Sequence, residues 1–169
     1  SVLKGHLALG RAIFSHGTCG EHLDALARMP LWQHGLDFRH GTGHGVGSSL
    51  CVHEGPQKIS QAPTQVPLLP GMIVSNEPGV YLKDKYGIRI ENLCLVTEVE
   101  ATASSEYGPF YKFETLTLLP YCKALIDITL LTQEEINQIK EYYASIRTNV
   151  IPLLNEKVAN WLETELNIF

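Results

Sequence analysis

The sequence predicts an α/β (α+β) domain in which helices near both ends of the chain flank an antiparallel sheet. Apolar residues recur at helical spacing near the N-terminus and again after Leu131. Between them, from about residue 37 to residue 97, short alternating runs are punctuated by Gly, Pro and β-branched residues, the pattern of strands and loops. The composition, 44% hydrophobic and 18% charged over 169 residues, is that of a globular chain with one ordinary core. A chain of this length buries roughly 70% of its unfolded surface, so it needs no disulfide or metal to hold together, and any metal would be functional.

Leu3, Leu7, Gly10 and Phe14 predict a helix over about residues 2–14. Leu23, Leu26 and Ala27 predict a second one running toward Leu31, which Pro30 should kink or divide because proline has no N–H to donate. Gly35 ends it. Residues 60–71, with three prolines and no period, are a loop. Residues 71–76 read as a strand entering Glu77, and Pro78-Gly79 as turn chemistry. A second strand spans residues 87–97, with Ile88 and Ile90 on one face and Arg89 and Glu91 on the other; a third spans 113–120. Thr132-Gln133-Glu134-Glu135 is a capping-box pattern that opens a helix through Ile136, Ile139, Tyr143, Ile146 and Val150. Pro152 interrupts it or begins a new turn. Leu154, Val158, Trp161, Leu162 and Leu166 form a last amphipathic stretch, suited to packing rather than to a membrane.

Thirteen Lys and Arg against eighteen Asp and Glu give a net charge of -5, which disfavours nucleic acid as a partner. No apolar run approaches the ~20 residues that cross a bilayer, so no membrane role is expected. Cys19, Cys51, Cys94 and Cys122 form no C-x-x-C pair and follow no secretory leader. They read as reduced thiols in a cytoplasmic protein, serving as small buried or half-buried hydrophobes. The chain starts at Ser1 and its first Met is Met29, so it is expected to be processed or part of something longer.

The chemistry concentrates in His40-Gly41-Thr42-Gly43-His44-Gly45-Val46-Gly47, where four glycines in eight residues make a helix costly, at about 1 kcal/mol each relative to Ala. In an extended segment His40 and His44 share a face, but their backbones lie ~13 Å apart at about 3.3 Å per residue, too far to hold one ion easily. One can be a ligand and the other an acid, base or substrate contact. His53, beside Glu54 and Gly55, adds a third imidazole at a strand end, whereas His6, His16, His22 and His34 read as structural or exposed. Glu77 closes an apolar strand, where an unpaired carboxylate costs several kcal/mol unless a cation neutralises it. Glu91 poses the same problem, with a plain Arg89–Glu91 ion pair as the alternative. One imidazole and two carboxylates suit Mn, Co or Fe, with Zn also possible.

Together H-G-T-G-H-G-V-G at 40–47, V-H-E-G-P at 52–56, N-E-P-G-V-Y at 76–81 and G-I-R-I-E-N at 87–92 resemble the eukaryotic cytosolic Xaa-Pro aminopeptidases (aminopeptidase P). The flanks V-L-K-G-H, G-L-D-F-R-H, P-L-L-P-G-M-I-V and F-E-T-L-T-L resemble the same enzymes. The resemblance implies a pita-bread fold, an antiparallel sheet backed by helices around two divalent metal ions, commonly Mn. It implies His44, Glu77 and Glu91 as metal ligands, with Glu77 also in proton transfer. His40 and His53 resemble histidines that, with His44, bind substrate and assist the departing prolyl nitrogen, and Arg89 resembles a support of the carboxylates. The implied reaction removes the first residue from a peptide with proline second, using hydroxide held at the dinuclear site. The implied assembly is a homodimer through this part of the fold.

Enzymes of this kind carry two further metal-binding aspartates ahead of the helix that resembles residues 2–14, and Asp24, Asp37, Asp84 and Asp127 do not replace them. Residues 1–169 are therefore expected to be the C-terminal part of the catalytic domain, with 120–169 a helical extension. Such a piece has an incomplete site, is inactive alone and self-associates through exposed strand edges. A prolidase-like dipeptidase and a non-catalytic binding module of the same fold are the competing readings.

Overall fold

The computed structural model describes residues 1–49 and 51–168; Leu50, in the apolar run before His53, and Phe169, the last residue of the predicted extension, lie outside the described residues. The chain divides into two compact units, Ser1–Thr117 and Leu118–Phe169.

In the first unit, helix α1 (Val2–Gly10) is followed by strand β1 (Ile13–Ser15) and helix α2 (Gly20–Trp32). The predicted first helix is therefore too long. Phe14 does face the core, but as a strand residue opposite Tyr111, with its ring packed on Phe113 at 5.2 Å. Pro30 does not divide α2, which continues through it to Trp32, and Gly35 follows with a positive φ of 68°. The remaining strands are β2 (Gly43–His44), β3 (Lys58–Ile59), β4 (Ile73–Asn76), β5 (Gly79–Leu82), β6 (Tyr86–Arg89), β7 (Asn92–Glu98) and β8 (Phe110–Thr115).

A four-stranded antiparallel sheet has the order β1-β8-β7-β4, and β2–β3 and β5–β6 form separate two-stranded ribbons. The predicted strand over 87–97 is thus two strands: β6 pairs with β5, the chain crosses at Ile90-Glu91, and β7 pairs with β4 and β8. Gly79 begins β5 instead of finishing a turn, and the third predicted strand lies nearer the N-terminus, at Phe110–Thr115. Residues 37–41, read as the start of a strand, belong to no regular element, and neither does His53.

The core forms where Leu9 of α1 and Leu23 and Ala27 of α2 meet the inward faces of the sheet, Val74, Cys94, Val96, Tyr111 and Phe113. These alternate with exposed residues along β8, as a one-sided sheet requires. Cys19 and Cys94 are buried as expected, whereas Cys51 and Cys122 are exposed; all four are free thiols. A second small cluster joins Val2, Leu31, Phe38 and Val80, with Ile88 and Ile90 packed against it. Their neighbours Arg89 and Glu91 are exposed on the other side.

His6 ties α1 to the sheet. Its Nε2 accepts from Asn92 Nδ2 at 3.2 Å, and its carbonyl accepts from Asn76 Nδ2 at 2.9 Å. Asn76 and Asn92 are register partners across β4 and β7. Burial pulls the His6 pKa down to about 4, because the charged imidazolium loses its water. The unfolded chain then takes up a proton near pH 6.5 that the folded chain refuses until about pH 4. Stability from this group is full above pH 6.5 and is lost as pH falls toward 4. Urea unfolding should show a loss of about 2 kcal/mol between pH 7.5 and pH 5 that is absent in His6→Gln. Equal pH dependence in the two proteins would refute this.

In the second unit, helix α3 (Gln133–Asn149) starts with the predicted capping box: Thr132 Oγ1 accepts from Glu135 N and Glu135 Oε2 accepts from Thr132 N. Helix α4 (Glu156–Leu166) follows a short turn at Ile151–Leu153 and is capped by Asn155. Ile139, Tyr143 and Ile146 of α3 and Leu162 and Leu166 of α4 are buried. No helix among the described residues is long and apolar enough to cross a membrane.

Candidate metal centre

Strand β4 ends at Asn76, and the glycine-rich segment 42–46 runs alongside it. Glu77 N donates to Thr42 O at 2.8 Å, Val46 N donates to Ile73 O at 3.1 Å, and Gly45 forms a β-bridge with Val74. His44 N donates to Ser75 Oγ at 2.9 Å, and the same hydroxyl donates to Glu77 Oε1 at 2.9 Å. One serine therefore connects the backbone of the histidine to the carboxylate. Glu91 arrives from the crossover between β6 and β7, and one donor atom from each of His44, Glu77 and Glu91 falls within 4.8 Å of the others.

The donor chemistry fits a cation. His44 Nδ1 is 2.9 Å from Gly45 O, a carbonyl that can only accept, so Nδ1 carries hydrogen. In the neutral ring Nε2 then presents a lone pair, and it faces Glu77 Oε1 at 3.2 Å. Two acceptors in that position need a cation or a proton between them. Glu77 is 9% exposed, and Arg89 Nε stands 3.7 Å from its Oε2, so Arg89 supports Glu77 and the plain Arg89–Glu91 pair is not the arrangement adopted. Oxygen or nitrogen donors about 2.1 Å from one ion lie at most ~4.2 Å apart. A spread of up to 4.8 Å is wider than that and suits donors distributed over a pair of ions about 3.5–4 Å apart.

His53 is exposed, with its ring centroid 4.1 Å from that of His44. His40 lies outside the three-donor group. Its Nδ1 donates to Gly41 O at 2.7 Å, and its Nε2 accepts from Tyr81 Oη at 2.9 Å. The Tyr81 ring in turn lies 5.7 Å from the Arg89 guanidinium. The six side chains form a chain of neighbours, His53–His44–Glu77–Arg89–Tyr81–His40. Sequence reasoning missed Tyr81 and Ser75. Alternation along β5 turns Val80 inward and Tyr81 outward, and Tyr81 faces Gly87 across the ribbon, where a Cβ would come within 2.9 Å of its ring. A large aromatic opposite a glycine was the available signal.

An imidazole and two carboxylates thus converge beside the edge strand β4, a donor set that could hold a metal ion. The sequence matches metallopeptidase family M24 over residues 1–98 and the C-terminal region of peptidase M24 over residues 109–168. It is 50% identical to a probable Xaa-Pro aminopeptidase P of Sclerotinia sclerotiorum over 98% of this chain and 28% of the relative. It is 48% identical to aminopeptidase P1 of Lotus japonicus over 96% of this chain and 25% of the relative. The solved X-prolyl aminopeptidase of Caenorhabditis elegans, described as a cytosolic enzyme with a dinuclear active site, superimposes with a TM-score of 0.91 at 43% identity, over 98% of this chain and 27% of that one. An Xaa-Pro dipeptidase of Bacillus anthracis superimposes with a TM-score of 0.56 at 35% identity, over 70% of this chain and 29% of that one. The chain belongs to metallopeptidase family M24, and its helix-backed antiparallel sheet is of the pita-bread type. It spans about a quarter of the length of the relatives it matches.

Proposed function

We propose that this chain is the C-terminal portion of the catalytic domain of an Xaa-Pro aminopeptidase, with residues 120–169 a helical extension of it. The observation that carries the reading is the convergence of His44, Glu77 and Glu91, whose donors fit a divalent cation. Mn is the proposed metal, two ions per site, in a cytoplasmic enzyme that works as a homodimer. The ions would polarise the scissile carbonyl and activate water. Glu77 would hold a proton on its way to the leaving nitrogen, a role supported by its hydrogen bond from Ser75 and by Arg89 beside it. His53 and His40 would contact a peptide and orient its prolyl nitrogen, a reading supported by the exposure of His53 beside His44 and by the hydrogen bond between His40 and Tyr81.

Two divalent ions bring four positive charges, whereas Glu77 and Glu91 supply two negative ones, so the pair needs further anionic donors. The 169-residue chain, loaded with Mn and desalted, should retain less than one ion by elemental mass spectrometry. Two retained ions would refute the shared site. The enzyme that carries these residues should release the first residue of Xaa-Pro-Xaa peptides in Mn and leave Xaa-Pro dipeptides intact. Turnover of the dipeptides alone would make it a dipeptidase.

A further inference from the structure

Arg28 of α2 is 2% exposed, and its guanidinium is fully engaged. Nε donates to Asp24 Oδ2 at 2.6 Å, and Nη2 reaches Asp24 Oδ1 at 3.3 Å. Nη1 donates to Asp37 Oδ1 at 2.9 Å and to the Phe38 carbonyl at 2.7 Å, and Nη2 donates to the His40 carbonyl at 2.9 Å. Thr42 Oγ1 adds a bond to Asp24 Oδ1 at 2.5 Å. The guanidinium also lies 3.9 Å from the centre of the Phe38 ring, and the His40 ring lies 4.8 Å from the same ring. Residues 37–41 belong to no helix or strand. The path of the chain into His40 is therefore set largely by one buried cation that holds alternate carbonyls and backs the aromatic ring on which His40 rests.

Packing alone does not call for this arrangement. An apolar side chain would fill the space between α2 and the loop without the cost of burying a guanidinium and the Asp24 carboxylate. What an arginine adds is a rigid planar fork that fixes two carbonyls and two carboxylates relative to each other, which a lysine cannot reproduce. We propose that Arg28, braced by Asp24 and Asp37, is a positioning residue that aims the His40 imidazole at the peptide. This rests on the reading of His40 as a substrate contact.

The test is a mutant cycle in the Mn-loaded aminopeptidase that carries this chain. Arg28→Lys should lower kcat/KM for an Xaa-Pro-Xaa peptide 10- to 100-fold, the scale of loss from misplacing an active-site group by about 1 Å, with Mn content unchanged. In a His40→Ala background the same substitution should cost 2-fold or less, because its effect passes through the missing imidazole. Should Arg28→Lys fail to fold, Asp37→Asn carries the same cycle with a smaller effect, since the Asp37 side chain is 43% exposed and sits at the outer end of the network. A second readout needs no turnover. Imidazole 1H–15N spectra of the 169-residue chain should show His40 in a single Nδ1-protonated form that becomes mixed in the variant. Additive losses in the double variant, or unchanged His40 resonances, would overturn the proposal. A silent His40→Ala overturns it too, and by a different signature, since that result strikes the substrate-contact role itself.

Discussion

Replacing Glu77 by Gln should lower the activity of the Mn-loaded enzyme at least 1,000-fold while leaving the metal-free protein as stable as before, or more so. The two effects have opposite signs because Glu77 is a buried charge whose partners suit a cation. Its Oε1 faces the His44 Nε2 lone pair at 3.2 Å, and its only guanidinium neighbour among the described residues is 3.7 Å away and half exposed. A glutamine amide at that position donates to the same nitrogen, so a repulsive contact becomes a hydrogen bond worth about 1 kcal/mol, which offsets the loss of the bond that Ser75 Oγ donates to Oε1. With metal the sign reverses, since a neutral amide contributes neither charge nor a strong donor atom. Mn should raise the melting temperature of the parent protein and not that of Glu77→Gln, as linkage between binding and folding requires. If the variant melts well below the parent without metal, His44 is an imidazolium paired to Glu77, and the centre is an ion pair rather than a cation site.

Much of this centre could be read from residue order alone, and the parts that could not share one cause. Thr132 and Glu135 announce a helix because the capping box is local, needing no partner beyond three residues. Glu77 and Glu91 drew attention because a carboxylate beside apolar strand residues needs a reason wherever the strand lies. Strand limits failed where the deciding partner was distant. Phe14 satisfies both a helical and a strand pattern, and only pairing with Tyr111 on β8 decides between them. The alternation from Ile88 to Glu91 runs into the apolar stretch 93–96 with only Asn92 and no Gly or Pro between them, so no local turn signal shows that the chain leaves β5 for β4 at Ile90-Glu91. Yet that crossover presents Glu91 to His44 and Glu77. Arg28 and Tyr81 escaped for the same reason: one reads as an ordinary helix residue and the other as an ordinary strand residue until His40 stands beside them.

The closeness of His44 to Glu77 depends on a seam with no room for a side chain, and Gly43→Ala should open it. A Cβ on Gly43 would overlap the Ser75 carbonyl oxygen and lie 2.9 Å from its carbon. Ser75 cannot retreat, because it is fully buried and paired with Leu93 in the middle of the β4–β7 ladder. The segment 42–46 must move instead, which breaks or stretches Glu77 N to Thr42 O, Val46 N to Ile73 O and His44 N to Ser75 Oγ. At roughly 1 kcal/mol for each bond, the loss is about 3 kcal/mol, or roughly 6–12 °C in melting temperature for a chain of this size. Gly41→Ala is the internal control. Its Cβ would meet Ser60 Cβ at 3.4 Å, an ordinary contact, and should change stability by less than about 1 kcal/mol. Retained Mn should fall with stability in Gly43→Ala and not in Gly41→Ala, because only the former carries the imidazole away from the carboxylate. Two alanine variants that melt together and hold metal equally would mean that β4 and the glycine-rich segment are not what sets the His44–Glu77 distance.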